Sequence, residues 1–234
     1  GTIGANKVAK APQDGHTLLL HHIGMATSPA LYRKLPYNTQ EDFEYLGLIN
    51  EVPMTLIGRP TLPANNYKEL AAWIAQSKGS VNLGNAGLGA ASHLSGLLFQ
   101  QALKTDMTTV PYTNTTSQIE GKTVKAFAVT TPKRLTTPAL KDLPTLQESG
   151  LKGFEVTIWH GLYAPKGTPA DVTAKINKAL QAALKDPEFI KKQQGLGAVV
   201  VTDKRSDSAE HKKFVISEIN KWGPIIQAAG QYAD

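Results

Sequence analysis

The feature that most constrains this chain is a rhythm. Strand-sized apolar runs alternate with helix-periodic segments along nearly its whole length. "HTLLLHH" (16–22) follows the turn signal "PQDG". "FEYLGLI" (43–49) and "MTLI" (54–57) read as strands on either side of Pro53. "NNYKELAAWI" then predicts a helix. Asn66 caps it, Glu69 completes a capping box, and Tyr67, Leu70, Ala71 and Ile74 share one face. "VNLGNAG" is the next strand and runs into a glycine turn. A helix over 92–103 follows, with Leu94, Leu97 and Leu98 on one side. "MTTVPY" (107–112), "VKAFAVTT" (124–131) and "FEVTIWHGLYAP" (154–165) are further strands. A strong helix begins at Thr168 as N-cap, with Pro169 in first position and Asp171 as the box acid. Its stripe of Val172, Ile176, Ala179, Leu180, Ala183 and Leu184 is expected to pack in the core. A last helix carries Phe214, Val215, Ile219 and Trp222 and is expected to break at Gly223-Pro224. This alternation predicts an α/β fold with mostly parallel sheet.

At 234 residues the chain makes one large domain or two small ones. Its net charge of +6 suits anionic partners, but the Lys and Arg residues are spread rather than clustered, which argues against nucleic acid. The absence of cysteine removes disulfides, thiolate catalysis and Cys-ligated metal. No apolar run reaches the length of a membrane span. The opening "GTIGANKVAKAP" has neither methionine nor signal peptide, and reads as a processed or truncated product.

One segment breaks the rhythm. Residues 113–123, "TNTTSQIEGKT", would have to connect two strands with a single apolar residue, Ile119. A parallel crossover needs about a dozen residues or more and usually an amphipathic helix. The segment is therefore a hairpin or the joint left by an absent stretch between 112 and 113. Its glycosylation sequon at Asn114 is taken as chance.

"NLGNAGLGAASH" (82–93) offers almost no side-chain chemistry and a great deal of bare backbone. A strand that ends in a glycine turn and starts a helix points unpartnered N–H groups, backed by the helix dipole, at one spot. Such a place holds a carboxylate or phosphate without a charged side chain. Gly87 and Gly89 allow close approach, and Ser92 and His93 can add a contact. The spacing matches neither a nucleotide-triphosphate loop nor a dinucleotide fingerprint. The alternative is a tight turn whose small residues are chosen for packing. His21 and His22 are adjacent, so on a strand they face opposite ways and cannot share a metal. Ser92 and His93 cannot form a catalytic pair for the same kind of reason, and no nucleophile-elbow motif exists. Trp159 and His160 either line a cleft or pack in a core.

Several stretches resemble one family in order and almost end to end: "GTIGANKVAKAPQDGHTLLL", "SPALYRKLPYNTQEDFEYLG", "NLGNAGLGAASHLSGLLF", "VPY", "KAFAVTTPKRL", "LPTLQESGLKGFEVTIWHGLYAPKGTP" and "WGPIIQAAG". They are similar to the Bug family, the extracytoplasmic solute receptors of tripartite tricarboxylate transporters. The resemblance implies a type II two-lobe periplasmic binding protein, each lobe a mostly parallel sheet flanked by helices, with ligand in the cleft. It implies crossings near 46–57 and 154–164, a first lobe of 1–50 plus 160–234, and a second of 51–159. Implied ligand contacts are Gly24, Met25, Ala26, Thr27 and Ser28 after "LLLHH"; Asn85, Ala86, Gly87, Gly89, Ala90, Ala91, Ser92 and His93 in the second lobe; and Trp159, His160 and Gly161 at the second crossing. Met25 and His160 would tune the solute accepted. The implied partners are a small carboxylate, aromatic or dicarboxylate, and membrane transporter subunits. The protein would be a monomer with no cofactor, no metal and no catalytic residue. The chain departs from the family before Gly1 and after "VPY", where a helix and strand are missing. Two rivals stand beside this reading: a sensor on the same fold that feeds a signalling partner, and a small α/β hydrolase using Ser92, His93 or His160.

Overall fold

The computed structural model describes residues 1–77, 79–87, 89–111, 124–136, 140–230 and 232–233. The junction at 112–113 lies outside them. The chain divides into two compact units: Gly1–Val52 with Ile158–Asp234, and Pro53–Thr157.

The first unit holds α1 (Thr2–Ala9), β1 (Leu19–His22), α2 (Gly24–Leu31) and β2 (Phe43–Pro53), then receives most of β7 (Thr157–Pro165). Its remaining elements are α5 (Ala170–Ala183), α6 (Pro187–Gly195), β8 (Val199–Val200) and α7 (Ser208–Ala229). Its sheet has the order β1-β7-β2-β8, with β1 antiparallel to β7 and β2 antiparallel to β8. The second unit holds the end of β2, β3 (Thr55–Gly58), α3 (Tyr67–Gln76), β4 (Asn82–Asn85), α4 (Ala91–Leu103), β5 (Thr108–Pro111) and β6 (Lys125–Val129). There β3 pairs antiparallel with β6, and β4 pairs parallel with β5. The fold is α/β, but the expectation of mostly parallel sheet needs correcting. Parallel pairing follows when a helix carries one strand to the next. β4 and β5 are joined through α4 in that way, whereas β7 reaches β1 only after the chain has built the whole second unit.

The core of the first unit forms where β7 meets α7. Trp159 and Tyr163 on β7 and Trp222 on α7 are completely buried, with Phe43, Leu46 and Leu48 of β2 beside them. Each such side chain contributes about 1.5–3 kcal/mol by leaving water. The buried stripe of α7 runs His211, Val215, Glu218, Trp222, Ile226. That stripe explains why the helix does not break at Gly223-Pro224. The hydrogen bond lost at Pro224 costs about 3 kcal/mol, and burial of Trp222 and Ile226 on either side offsets it. Glu218 accepts both indole N–H groups at one oxygen, from Trp159 at 3.1 Å and Trp222 at 3.0 Å.

Two other expectations change. Thr168 does not cap α5. Its hydroxyl donates to the Pro165 carbonyl at 2.8 Å, and Pro169 takes the N-cap position. The stripe on α5 is only half covered, and Ala179 and Ala183 are exposed. By contrast, Asn66 caps α3 by accepting from the Glu69 amide at 2.9 Å, while the Glu69 carboxylate reaches back to the Asn65 amide at 2.8 Å.

In the second unit Phe127, Leu94, Ile74, Leu146 and Phe154 form the core. Thr130 fastens the two ends of this unit's chain. Its amide donates to the Met54 carbonyl at 2.9 Å, its hydroxyl donates to the Val156 carbonyl at 2.6 Å, and its carbonyl accepts from the Val156 amide at 3.1 Å.

Candidate functional site

In the second unit, β4 ends at Asn85 and the chain turns through Gly87 and Gly89 into α4. Both glycines have positive φ, 112° and 76°, which a side chain would resist. The turn is braced from inside. The Ala86 amide donates to Ser92 Oγ at 2.9 Å, the Gly87 amide to Asn85 Oδ1 at 2.8 Å, the Gly89 amide to His93 Nδ1 at 3.3 Å, and the Ala90 amide to the Gly87 carbonyl at 3.1 Å. Of the expected anion cradle, which combined this turn with the first amides of the helix, these four amides bond within the turn. Asn85 and His93 are buried braces, and the amides of Ala86, Gly87, Gly89 and Ala90 are occupied.

What the turn leaves available is the start of α4. Its N-cap, Ala90, is extended (φ −66°, ψ 153°) and supplies no side-chain hydrogen bond. Among the described residues, no acceptor is paired with the Ala91 and Ser92 amides. Ser92 Oγ receives the Ala86 amide, and among the described residues no acceptor is paired with its own hydrogen. A helix of thirteen residues stands behind this turn with its dipole unopposed, and no acidic side chain lies in the first turn. Ser92 also lines a cavity of about 320 Å³. Its wall includes Thr55 and Thr130 as polar groups, with Met54, Leu83 and Phe99 as apolar ones. The site thus offers amide and hydroxyl donors beside an apolar wall, suited to a small organic anion.

The residues expected after "LLLHH" are placed differently. Gly24 to Ser28 are not a loop but most of α2, and Met25, Ala26, Thr27 and Ser28 are buried where α2 packs on α7. The Ala26 and Thr27 amides both donate to the Ile23 carbonyl, and the Ser28 hydroxyl donates to the Gly24 carbonyl. Gly24 is glycine because a Cβ there would lie 2.8 Å from His21 Cε1. Trp159 is core, its indole held by Glu218. Gly161 gives space to His211, whose Nε2 would lie 2.3 Å from a Cβ at that position. Of the two places the sequence left open for Trp159, cleft or core, it takes the core.

His160 is the exception. It is half-buried, and its Nδ1 lies 2.7 Å from Asn50 Oδ1. His22, directly opposite on β1, turns to the same face, while His21 turns inward and is buried. Burial holds all three imidazoles below their ordinary value, His21 at about 4. His22 and Asn50 were not expected as site residues. Alternation on β1 shows that His22 faces outward, but the register that sets it against His160 is not written in either strand. Among the described residues, no group of three or more His, Asp or Glu side chains is placed to hold a metal.

The sequence profile of the tripartite tricarboxylate transporter family receptor matches residues 1–122 and 113–231. A curated relative from Agrobacterium vitis, the UPF0065 protein in the TAR-I ttuE-ttuC' intergenic region, is 43% identical over 254 residues, covering 99% of this chain and 72% of the relative. An alignment of that length against 234 residues leaves the relative at least 20 residues without a counterpart here. Among solved structures, periplasmic binding protein BugD is 42% identical with a TM-score of 0.84, covering all of this chain and 84% of BugD. MatC from Rhodopseudomonas palustris with bound malate is 32% identical with a TM-score of 0.81, covering 96% of this chain and 84% of MatC. With a match over nearly every residue, this chain belongs to the tripartite tricarboxylate transporter receptor family, in the Bug group.

Proposed function

We propose that the protein captures an ionised carboxylic acid in the periplasm and delivers it to a membrane transporter without making or breaking a bond. The observation that carries this is the uncapped first turn of α4, set beside the Ser92 hydroxyl and a cavity of small-molecule size. A carboxylate there accepts from the Ala91 and Ser92 amides and from the hydroxyl. Each charge-assisted hydrogen bond contributes about 1.5–3 kcal/mol, and the dipole adds about 0.3–1 kcal/mol. Two or three such bonds give about 3–9 kcal/mol before the cost of association, so tight binding also needs the ligand's carbon chain to be buried against the apolar wall. The malate bound by MatC, a relative over most of this chain, supports a dicarboxylate as the ligand class. BugD is a periplasmic protein, which supports the compartment, and the family's description supports the transporter as partner.

The test is Ala90→Asp. The extended backbone at residue 90 suits an N-cap, so the new carboxylate competes for the Ser92 amide, one of the two that the ligand needs, and places a negative charge at the helix start. Stability should rise by about 1 kcal/mol while malate affinity falls at least about tenfold, the loss of one such hydrogen bond. A stabilised variant that binds malate as tightly as the parent would show that the acid is held elsewhere. Co-purification with the membrane subunits of a tripartite transporter tests delivery, and exclusive capture of a sensor protein would contradict it.

A further inference from the structure

The first unit carries a polar row that the α4 site does not use. His22 on β1, His160 on β7 and Asn50 on β2 lie side by side across three adjacent strands. The two imidazoles are directly opposed, with ring centroids 6.4 Å apart at a T-shaped 79°.

The hydrogen bonds fix what each ring presents. His22 Nδ1 accepts from the Gly24 amide at 3.0 Å, so its proton sits on Nε2. Asn50 Nδ2 donates to Gln193 Oε1 at 2.6 Å, which turns Asn50 Oδ1 toward His160. His160 Nδ1 must then donate across the 2.7 Å contact, leaving a lone pair on Nε2. In the neutral state the pair offers one donor and one acceptor. A carboxylate accepts only, so it satisfies His22 at once but meets His160 properly only after Nε2 gains a proton.

We propose that His22 and His160 form a proton-coupled carboxylate contact, in which a proton from solvent adds to His160 Nε2 as the acid binds and the two Nε2–H groups donate to it. This rests on the reading of the protein as a carboxylate receptor. The other titratable group facing the pair is His21, whose ring lies 4.7 Å from that of His22. A positive charge there would disfavour a second one on the pair in the free protein. Among the described residues no carboxylate forms an ion pair with either ring, so an arriving anion is the missing counter-charge. Glu51, next to Asn50, is engaged by Arg205 at 2.8 Å. Burial keeps both rings below their ordinary value, with repulsion from His160 adding to it at His22, so uptake begins from neutral rings.

The experiment is calorimetric titration of the intact chain with malate at pH 7 and 8, in phosphate and in Tris, whose different ionisation heats report protons exchanged. The acid is fully ionised at both pH values, so uptake belongs to the protein. Wild type should take up close to one proton per malate, with affinity rising about tenfold from pH 8 to 7. His160→Gln keeps a donor but cannot titrate, so its uptake and pH dependence should vanish. His22→Gln, at an exposed position, should weaken binding about tenfold at both pH values. Malate binding to wild type without proton uptake, or uptake unchanged in His160→Gln, overturns this contact and leaves the receptor reading standing. No heat from wild type with any dicarboxylate overturns both.

Discussion

Acidification probes how His211 is held. Its ring is completely buried against Tyr45 and Tyr163, its Nδ1 accepts from the Gly47 amide at 3.0 Å, and burial pushes it down to about 3. An unfolded chain presents the same histidine near 6.5. Between those values the unfolded state binds a proton that the folded state refuses. Stability is therefore full above pH 6.5 and falls as the pH drops. Each pH unit below 6.5 costs about 1.4 kcal/mol, so at pH 5 His211 alone costs about 2 kcal/mol. His21, also buried, acts in the same direction from a value of about 4. The assay is urea unfolding of wild type and His211→Asn at pH 7, 6 and 5. Asparagine keeps an acceptor for the Gly47 amide and cannot titrate. The variant should lose stability with falling pH more gently, by close to one proton's worth of slope. Identical slopes would mean that His211 is already protonated in the fold or reaches water, and the packing described for α7 against β7 would be wrong.

Three further outcomes follow, two from the same core and one from the α3 cap. Gly161→Ala drives a methyl to 2.3 Å from His211 Nε2 on a central strand, and the unfolding free energy from urea denaturation should fall by about 1–3 kcal/mol. Glu218→Leu leaves the indoles of Trp159 and Trp222 without their acceptor, costing about 1–3 kcal/mol for each, whereas Glu218→Gln, which keeps an oxygen, should cost much less by the same measurement. Asn66→Ala removes the α3 cap and should lower thermal stability by about 1 kcal/mol without changing malate affinity.

Local chemistry explains which parts of the fold were legible in the sequence. Strands announced themselves by short apolar runs, and α3 by Asn66 and Glu69, because those signals act within a few residues. The glycine turn was legible as a strand-to-helix turn. The hydrogen bonds that occupy its amides depend on Asn85, Ser92 and His93 folding back on it, which composition does not show. Three helices escaped. One, α1, has no side-chain cap to announce it. Another, α2, contains Pro29 and glycine and reads as a loop, yet packing on α7 supports it. The third, α6, carried its signals openly, with Asp186 accepting from the Phe189 amide at 2.8 Å and Pro187 in the first turn. Trp159 was ambiguous because its partner, Glu218, lies 59 residues away. The pairing of His22 with His160 is hidden for the same reason: register between distant strands is set by the assembled sheet.

Native mass spectrometry of the purified protein with equal concentrations of malate and its uncharged diamide tests the receptor function most directly. A carboxylate receptor should show one malate per chain and no diamide, since the amide lacks the charge that the α4 terminus and the histidine pair require. Equal occupancy by both, or none by malate, would contradict it.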